Sequence, residues 1–385
     1  MIRVTNKASG LINTSIYFSG LSLAQVLKGT IVAEFDYFLW AFFVIQFFGS
    51  TIQGYISDLY RRSTVLNIAL CVVIATVSIL IFAHDKPGYL YHLLQLACII
   101  AVGFGGNTDV VGRAGLIDIH YQMDRRRLLS WSVFVEAFGW VIIGLLIKIA
   151  NLSAFNILVV CLIFSIFLLP ISFMFNSDVT EDKKHVHSKQ NLLAILKRKS
   201  KLLWSLILII LASELSYFFF FYSQEKQISK QNTELLSDSY LAWFIGMSFG
   251  CWALTKFKKY SDFLLLFIGL LISIFSIVLF ACGGMKNISM PKMLYFDLIV
   301  YSVAGIGSGI YLPCFYTLIS RGNSIHFQGF LTGLIDSLRV FGDAFSNIAL
   351  LSIALSSSLP VLLSGALFAI SIILLLLYRK NLILK

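Results

Sequence analysis

The stretch Gly54-Tyr55-Ile56-Ser57-Asp58-Leu59-Tyr60-Arg61-Arg62-Ser63 (GYISDLYRRS) places an acid and two arginines between two long apolar runs. The rest of the chain explains this setting. Of its 385 residues, 58% are hydrophobic and only 13% are charged, whereas about 25% of the residues in a soluble domain are charged. Apolar runs of about 20 residues recur along the chain, and each is long enough to cross a bilayer as a helix. The composition therefore predicts an all-α membrane protein.

The apolar runs predict twelve transmembrane helices in two groups of six. The predicted spans are 11–32, 37–57, 64–84, 89–118, 128–150, 154–175, 202–223, 239–255, 262–283, 294–318, 328–353 and 359–379. The one sizeable polar segment, 176–201, follows the sixth span. We interpret it as a basic cytoplasmic linker between an N-terminal six-helix bundle (1–175) and a C-terminal six-helix bundle (202–385). The first run is too long for a signal peptide, so we expect an uncleaved first span.

The distribution of basic residues predicts the orientation. With the N-terminus inside, 21 of the 30 lysines and arginines lie in cytoplasmic segments and 7 lie on the opposite side. The excess of basic residues in cytoplasmic loops is typical of multispan proteins. Both termini are therefore predicted in the cytoplasm. The short loops are typical of a bacterial protein, which places it in the inner (plasma) membrane.

The two halves of the sequence resemble each other. The segment GFGG (103–106) matches GIGS (305–308), Gly139 matches Gly342, and Gly54 matches Gly250, at offsets of about 200 residues. Three matches at nearly one offset favour an internal six-span repeat. A repeat of this kind predicts two pseudo-symmetric bundles.

Twelve spans in two halves, with GYISDLYRRS between spans two and three, resemble the major facilitator superfamily. The loop pattern of that family is roughly G-x-L-A-D-R-x-G-R-K. Gly54, Asp58 and Arg62 match this pattern, whereas Leu59, Arg61 and Ser63 depart from it. The architectural resemblance covers nearly the whole chain.

The resemblance implies a role for the charges. Gly54 would let span two approach span eleven closely, and Asp58 would lie beside the positive dipole end of span eleven. Arg62 would pair with Asp118 at the cytoplasmic end of span four. We call Gly54, Asp58, Arg62 and Asp118 the latch, and we expect it to hold the cytoplasmic side shut. The alternative is a plain cytoplasmic turn with solvated charges.

Charged residues inside the spans need a partner or a function, because each costs at least about 2.5–3.5 kcal/mol at the membrane centre. We expect Arg113 to form a buried cluster with Asp109 and Glu136. Spacing places three further residues on one face of span eleven, namely Asp336, Arg339 and Asp343. For the Arg113 cluster and for the set on span eleven, the alternative to a functional role is a structural salt bridge.

Glu214 is the favoured site of proton coupling. The further members of the coupling set are Glu136, Asp109, Asp336, Arg339 and Asp343. Glu214 lies 12 residues into span seven, about 18 Å deep by helical rise, without an evident basic neighbour in its own helix. The alternative is a carboxyl that is hydrogen-bonded in place for structural reasons.

The candidate substrate-binding residues are mostly polar. Asn13, Tyr17 and Gln25 share one face of span one, which lines the cavity in the family that this chain resembles. Tyr217, within the aromatic run SYFFFFYS (216–223), is a further candidate, although lipid-facing packing is the alternative for that run. Arg113 would hold an anionic group.

The sequence therefore predicts a secondary transporter that takes up a small anionic or zwitterionic metabolite, such as an amino acid, an organic acid or a siderophore, by proton symport and alternating access. Span five lacks the Gly-Pro motif of drug exporters, which favours uptake, and an exporting proton antiporter is the alternative. A multispan enzyme and a transporter-like sensor are less favoured. The sequence contains no Walker motif and no cluster of cysteines or histidines, so we predict neither a cofactor nor a metal. We expect a monomer in the lipid bilayer, with no enzymatic activity and no nucleic-acid partner.

Overall fold

The apolar runs fold into helices, because a helix pairs all its internal backbone groups within one segment. A computed structural model describes residues 11–20, 23–24, 39–83, 88–119, 125–149, 153–175, 200–229, 233–257, 259–284, 290–322, 327–344 and 359–379. Residues 11–20 are helical. Residues 176–199 of the predicted linker lie outside the described residues.

Twelve further helices lie in the described ranges. In chain order they are α1 (Leu39–Leu59), α2 (Arg62–Ala83), α3 (Tyr89–Gly105), α4 (Thr108–Ile119), α5 (Arg125–Lys148), α6 (Ala154–Phe175), α7 (Ser200–Ser229), α8 (Thr233–Leu254), α9 (Asp262–Gly284), α10 (Met290–Gly322), α11 (Gln328–Ala344) and α12 (Leu359–Leu377). Within the described ranges, eight segments are long and apolar enough to cross a membrane.

The helices group into two compact units by their contacts. Among the described residues, the first unit contains 11–20, 23–24, α1 to α4, 125–128 and 145–149 at the two ends of α5, α6 and residues 327–340. The second unit contains residues 129–144 of α5, α7 to α10, α12 and residues 341–344. The grouping therefore does not follow chain order alone, since α5 and α11 each contribute to both units.

Glycines allow close helix crossings in each unit. In the first unit, a Cβ atom on Gly49 of α1 would collide with the carbonyl oxygen of Gly103 in α3. In the second unit, a Cβ atom on Gly246 of α8 would collide with the carbonyl oxygen of Ser302 in α10, and one on Gly305 would collide with Trp243. Small residues at such crossings drive membrane helices together by packing. Gly103 and Gly305 are equivalent in the predicted repeat.

Span four is broken, which the sequence did not predict. The run 89–118 forms two helices, because α3 ends at Gly105 and α4 begins at Thr108. Gln53 of α1 serves the backbone at the break: its Nε2 donates to the Gly105 carbonyl and its Oε1 accepts from the Asn107 N–H, both at 2.9 Å. One amide therefore supplies the two hydrogen bonds that water would otherwise provide.

Replacing Gln53 by leucine tests this support. The change substitutes an apolar side chain of similar size, which leaves the Gly105 carbonyl and the Asn107 N–H without the Gln53 amide. We expect the free energy of unfolding to fall by about 1–3 kcal/mol for each stranded group. A thiol-reactive dye that reports thermal exposure of the buried cysteines measures this in detergent. The neighbouring exposed variant Ile52→Leu is the control, and equal melting temperatures for the two variants would contradict the assignment.

Candidate functional site

Asp58 caps a helix that lies far away in the sequence. Its Oδ1 accepts from the Gly329 N–H at 2.9 Å and its Oδ2 accepts from the Phe330 N–H at 2.6 Å. These are the second and third residues of α11, whose N–H groups have no partner within their own helix. A carboxylate at this position also interacts favourably with the helix dipole. The end of α1 therefore completes the start of α11.

Arg62 joins Asp58 to α4. Its guanidinium donates from Nη2 to Asp58 Oδ1 at 2.5 Å and from Nε to Asp118 Oδ2 at 3.1 Å. The Nη1 group donates to Ser57 Oγ at 2.5 Å. Arg62 and Asp58 are both buried. Three contacts on one planar cation fix the guanidinium in place, which an ammonium group would not reproduce.

Gly54 lies at a close crossing of α1 and α11. A Cβ atom on Gly54 would collide with the carbonyl oxygen of Gly329 and lie 3.3 Å from the Cα of Gly333. One turn away, the hydroxyls of Thr51 and Ser337 are hydrogen-bonded at 2.7 Å. The four latch residues thus lie together at one end of the first unit. Their role in gating stays a prediction.

A second charged cluster links α4 and α11 inside the first unit. Arg113 is fully buried and donates from Nη1 to both carboxylate oxygens of Asp336, at 2.8 and 2.7 Å. Arg339 approaches the same carboxylate, with 3.5 Å between its Nη1 and Asp336 Oδ1, and keeps 18% of its side chain exposed. One carboxylate therefore faces two guanidinium groups.

The contact between Arg113 and Asp336 was not predicted from the sequence, which placed Asp336 in a separate set on span eleven. The expected cluster of Arg113 with Asp109 and Glu136 stays a prediction. Asp109 is buried in the first turn of α4 and Glu136 is buried in α5. A signal for this contact was present in the sequence, because the predicted latch joins Asp58, beside span eleven, to Asp118 of span four through Arg62.

The remaining candidates of the first unit are partly described. Asn13 and Tyr17 are buried, and the Tyr17 ring lies against Gly115 of α4. The Oδ1 atom of Asn13 is buried without a hydrogen-bond partner among the described residues. Gln25 and the side chain of Asp343 lie outside the described residues.

Glu214 has a hydroxyl neighbour in the second unit. The Tyr311 hydroxyl of α10 donates to Glu214 Oε1 at 2.8 Å. Glu214 is half-buried and Tyr311 is buried. The sequence missed Tyr311, since a tyrosine within an apolar run carries no signal of its own. A phenolic hydroxyl donates to a carboxyl oxygen whether or not that carboxyl carries a proton.

Tyr217 lies in an aromatic cluster beside this pair. Its hydroxyl donates to the Ala304 carbonyl at 2.8 Å and is 2.5 Å from Ser273 Oγ. Its ring stacks on Tyr311 with centroids 6.0 Å apart and meets Phe368 edge-on at 4.9 Å. Contact with substrate stays a prediction for Tyr217. In this arrangement its ring positions Tyr311, the donor to Glu214.

Comparisons with known proteins find one family model and a set of similar solved structures. The Major Facilitator Superfamily model matches residues 8–347. The crystal structure of the human organic anion transporter MFSD10 (TETRAN) is similar, with a TM-score of 0.68 and 16% sequence identity over 95% of this chain and 99% of that chain. The superfamily transporter FucP, crystallised in the outward conformation, has a TM-score of 0.68 and 12% identity over 96% and 99%. At these identities the similarity to solved structures shows the fold alone. A comparison with curated protein sequences finds no match.

The latch geometry predicts the effect of Asp58→Asn. An amide offers one acceptor oxygen instead of two and carries no charge, so the cap on α11 and the ion pair with Arg62 both weaken. We expect α1 and α11 to separate more often, by about fivefold or more for a loss of 1–2 kcal/mol. A Thr51→Cys reporter, labelled from the cytoplasmic side with an impermeant maleimide, measures the opening. The exposed Arg127→Gln variant serves as control, and unchanged labelling in Asp58→Asn would rule out the latch.

Proposed function

Because this chain belongs to the Major Facilitator Superfamily, we propose that it takes up an anionic or zwitterionic organic solute together with protons. Membership of the family and the similar solved structures confirm the predicted fold of twelve helices in two pseudo-symmetric bundles. At the level of the family the chain is a multi-pass membrane protein and a secondary transporter of small solutes. The proposal adds the substrate class, the coupling ion and the direction. It also keeps the inner membrane, cytoplasmic termini and a monomeric state as expectations from the sequence.

The observation that carries the proposal is the Arg113–Asp336–Arg339 cluster. The guanidinium fork matches a carboxylate in shape and charge. Asp336 occupies Arg113 through both of its oxygens, so it stands where the carboxylate of a substrate would bind. Arg339, with part of its side chain exposed, is 3.5 Å from the same carboxylate. A solute carboxylate would therefore compete with Asp336 for the two arginines.

This competition supplies a route for coupling. When the solute anion takes over the guanidinium groups, Asp336 loses its charge partners in a buried site. A buried carboxylate without partners is costly, so Asp336 would then bind a proton from the aqueous side. Anion and proton would cross together, and release of the solute would let Asp336 lose the proton and pair with Arg113 again. The sum of the two bound charges is zero for a monoanion.

Glu214 is the second acid in the proposal. It lies in the other unit and accepts from Tyr311, a contact that survives both protonation states. A carboxyl held in place while its proton comes and goes suits a coupling site. Glu214 and Asp336 therefore make separable contributions, one through a hydroxyl partner and one through arginine partners.

Proton movement tests the proposal without a labelled solute. Proteoliposomes would be loaded with a pH-sensitive dye. Amino acids, monocarboxylates, dicarboxylates or neutral sugars would then be added to the external buffer. We expect the lumen to acidify with at least one anionic or zwitterionic solute and not with the sugars. Acidification by sugars, or solute entry without any proton movement, would contradict proton-coupled uptake of an anion.

Glu214→Gln separates coupling from binding. The amide is a fixed neutral mimic of the protonated carboxyl, and it still accepts from Tyr311. We expect accumulation driven by a pH gradient to be lost, because one proton site no longer titrates. Counterflow, which needs no net proton movement, should survive in the same liposomes. Tyr311→Phe keeps the acid and is the matched control. Accumulation by Glu214→Gln would exclude it as the coupling site.

A charge-neutral pair distinguishes a binding role of Arg113 from a structural one. Arg113→Gln alone leaves Asp336 without its buried cation and should cost about 3–5 kcal/mol of stability. The double variant Arg113→Gln/Asp336→Asn removes both charges, so most of the melting temperature should return. Transport should not return, since the arginine that holds the solute is still absent. Recovery of transport along with stability would show that the pair only holds the fold.

A further inference from the structure

A cavity lies between α2 and α6 in the first unit, and two of its lining residues, Arg61 and Ser63, flank Arg62 of the latch in the sequence. It has a volume of about 530 Å³, within the range of about 300–1,000 Å³ that ligand sites occupy. Six of its ten lining residues are exposed. The lining residues are Arg61, Ser63, Thr64, Asn67, Ile68, Cys71, Val72, Ala75, Ser172 and Phe173. We call this cavity the α2–α6 groove.

The lining changes from polar to apolar along α2. Arg61, Ser63 and Thr64 lie at the start of the helix, where free N–H groups and the positive end of the dipole favour an anion. Further along the same helix, the lining consists of Ile68, Cys71, Val72 and Ala75. A ligand that fits must therefore carry a polar anionic end and an apolar tail.

The length of the groove matches one leaflet of a bilayer. Ser63 and Ala75 are twelve residues apart, which is about 18 Å along a helix. Half of the hydrocarbon core is about 15 Å thick, with the headgroup region beyond it. An acyl chain beside α2 would thus place its headgroup at the level of Arg61.

The groove opens toward lipid. Ile68 and Phe173, on α2 and α6, are 57% and 63% exposed, and apolar side chains exposed on a membrane span face hydrocarbon. Its floor is polar and closed, because Ser172 Oγ donates to Asn67 Oδ1 between the two helices. A lipid therefore reaches the apolar part of the groove by lateral diffusion within the bilayer.

We propose that the α2–α6 groove binds one anionic phospholipid, with its phosphate at Arg61, Ser63 and Thr64 and one acyl chain along Ile68, Cys71 and Ala75. The basic residue and the helix terminus select the anionic headgroup, and the apolar stretch of α2 holds the chain. The site is independent of the transported solute.

The chain carries its own reporter for this test. Cys71 lines the groove and is exposed, and Cys282, at the end of α9, is exposed as well. The intact protein in phosphatidylcholine nanodiscs would be treated with N-ethylmaleimide, and the alkylation rates of the two cysteines compared by peptide mass spectrometry. Increasing amounts of phosphatidylglycerol with the same acyl chains should slow Cys71 relative to Cys282. Inorganic phosphate without phosphatidylglycerol should leave the ratio unchanged.

Two variants assign the effect to the groove. Arg61→Gln should raise the phosphatidylglycerol fraction that gives half protection about fivefold, since a basic residue near the surface contributes about that factor in affinity. Arg127→Gln, an exposed arginine outside the groove, should leave it unchanged. Ala75→Phe fills the apolar end, and native mass spectrometry should show less retained phosphatidylglycerol than in the wild type.

Each other result overturns the proposal. Protection by inorganic phosphate would indicate a soluble anion. No protection of Cys71 relative to Cys282, or equal shifts for Arg61→Gln and Arg127→Gln, would mean that no anionic lipid binds there.

Discussion

Hydrocarbon offers no hydrogen bonds, so backbone groups freed inside or beside the membrane need partners from the chain itself. Helix α1 supplies such partners to two of its neighbours. Gln53 serves the break between α3 and α4 through both atoms of its amide. Asp58 serves the free N–H groups at the start of α11. Helix α1 therefore supplies hydrogen-bond partners to two neighbours in the polar interior of the first unit.

Close packing makes these contacts possible. Gly49 and Gly54 have no side chains, which lets the α1 backbone come near Gly103 of α3 and Gly329 of α11. Association of helices in lipid depends on such packing, because lipid tails are as apolar as the helix surfaces. The α8–α10 crossing in the second unit uses Gly246 and Gly305 in the same manner. Residues that match across the internal repeat thus have matching physical roles.

Buried charges also find few partners in the membrane, and this makes a buried ion pair a candidate for coupling solute and proton transport. Arg113 is fully buried and is balanced by Asp336. A ligand that binds one member of such a pair leaves the charge of the other member without a partner. A proton that binds the remaining carboxylate neutralises that charge. Structural and functional interpretations of the cluster therefore rest on one observation, and they differ in what happens when both charges are removed together.

The sequence by itself determined the protein class and the apolar spans, because the length and composition of an apolar run are local properties. The position of Asp58 beside span eleven was implied by the resemblance of a short loop motif to a known family, and the structure places Asp58 at the start of α11. Only the tertiary structure decided which buried groups meet. Arg113 pairs with Asp336, 223 residues away, Tyr311 reaches Glu214, 97 residues away, and span four breaks opposite Gln53. These contacts depend on how each helix is rotated against its neighbours, and apolar helices of membrane spans carry little periodicity that fixes that rotation.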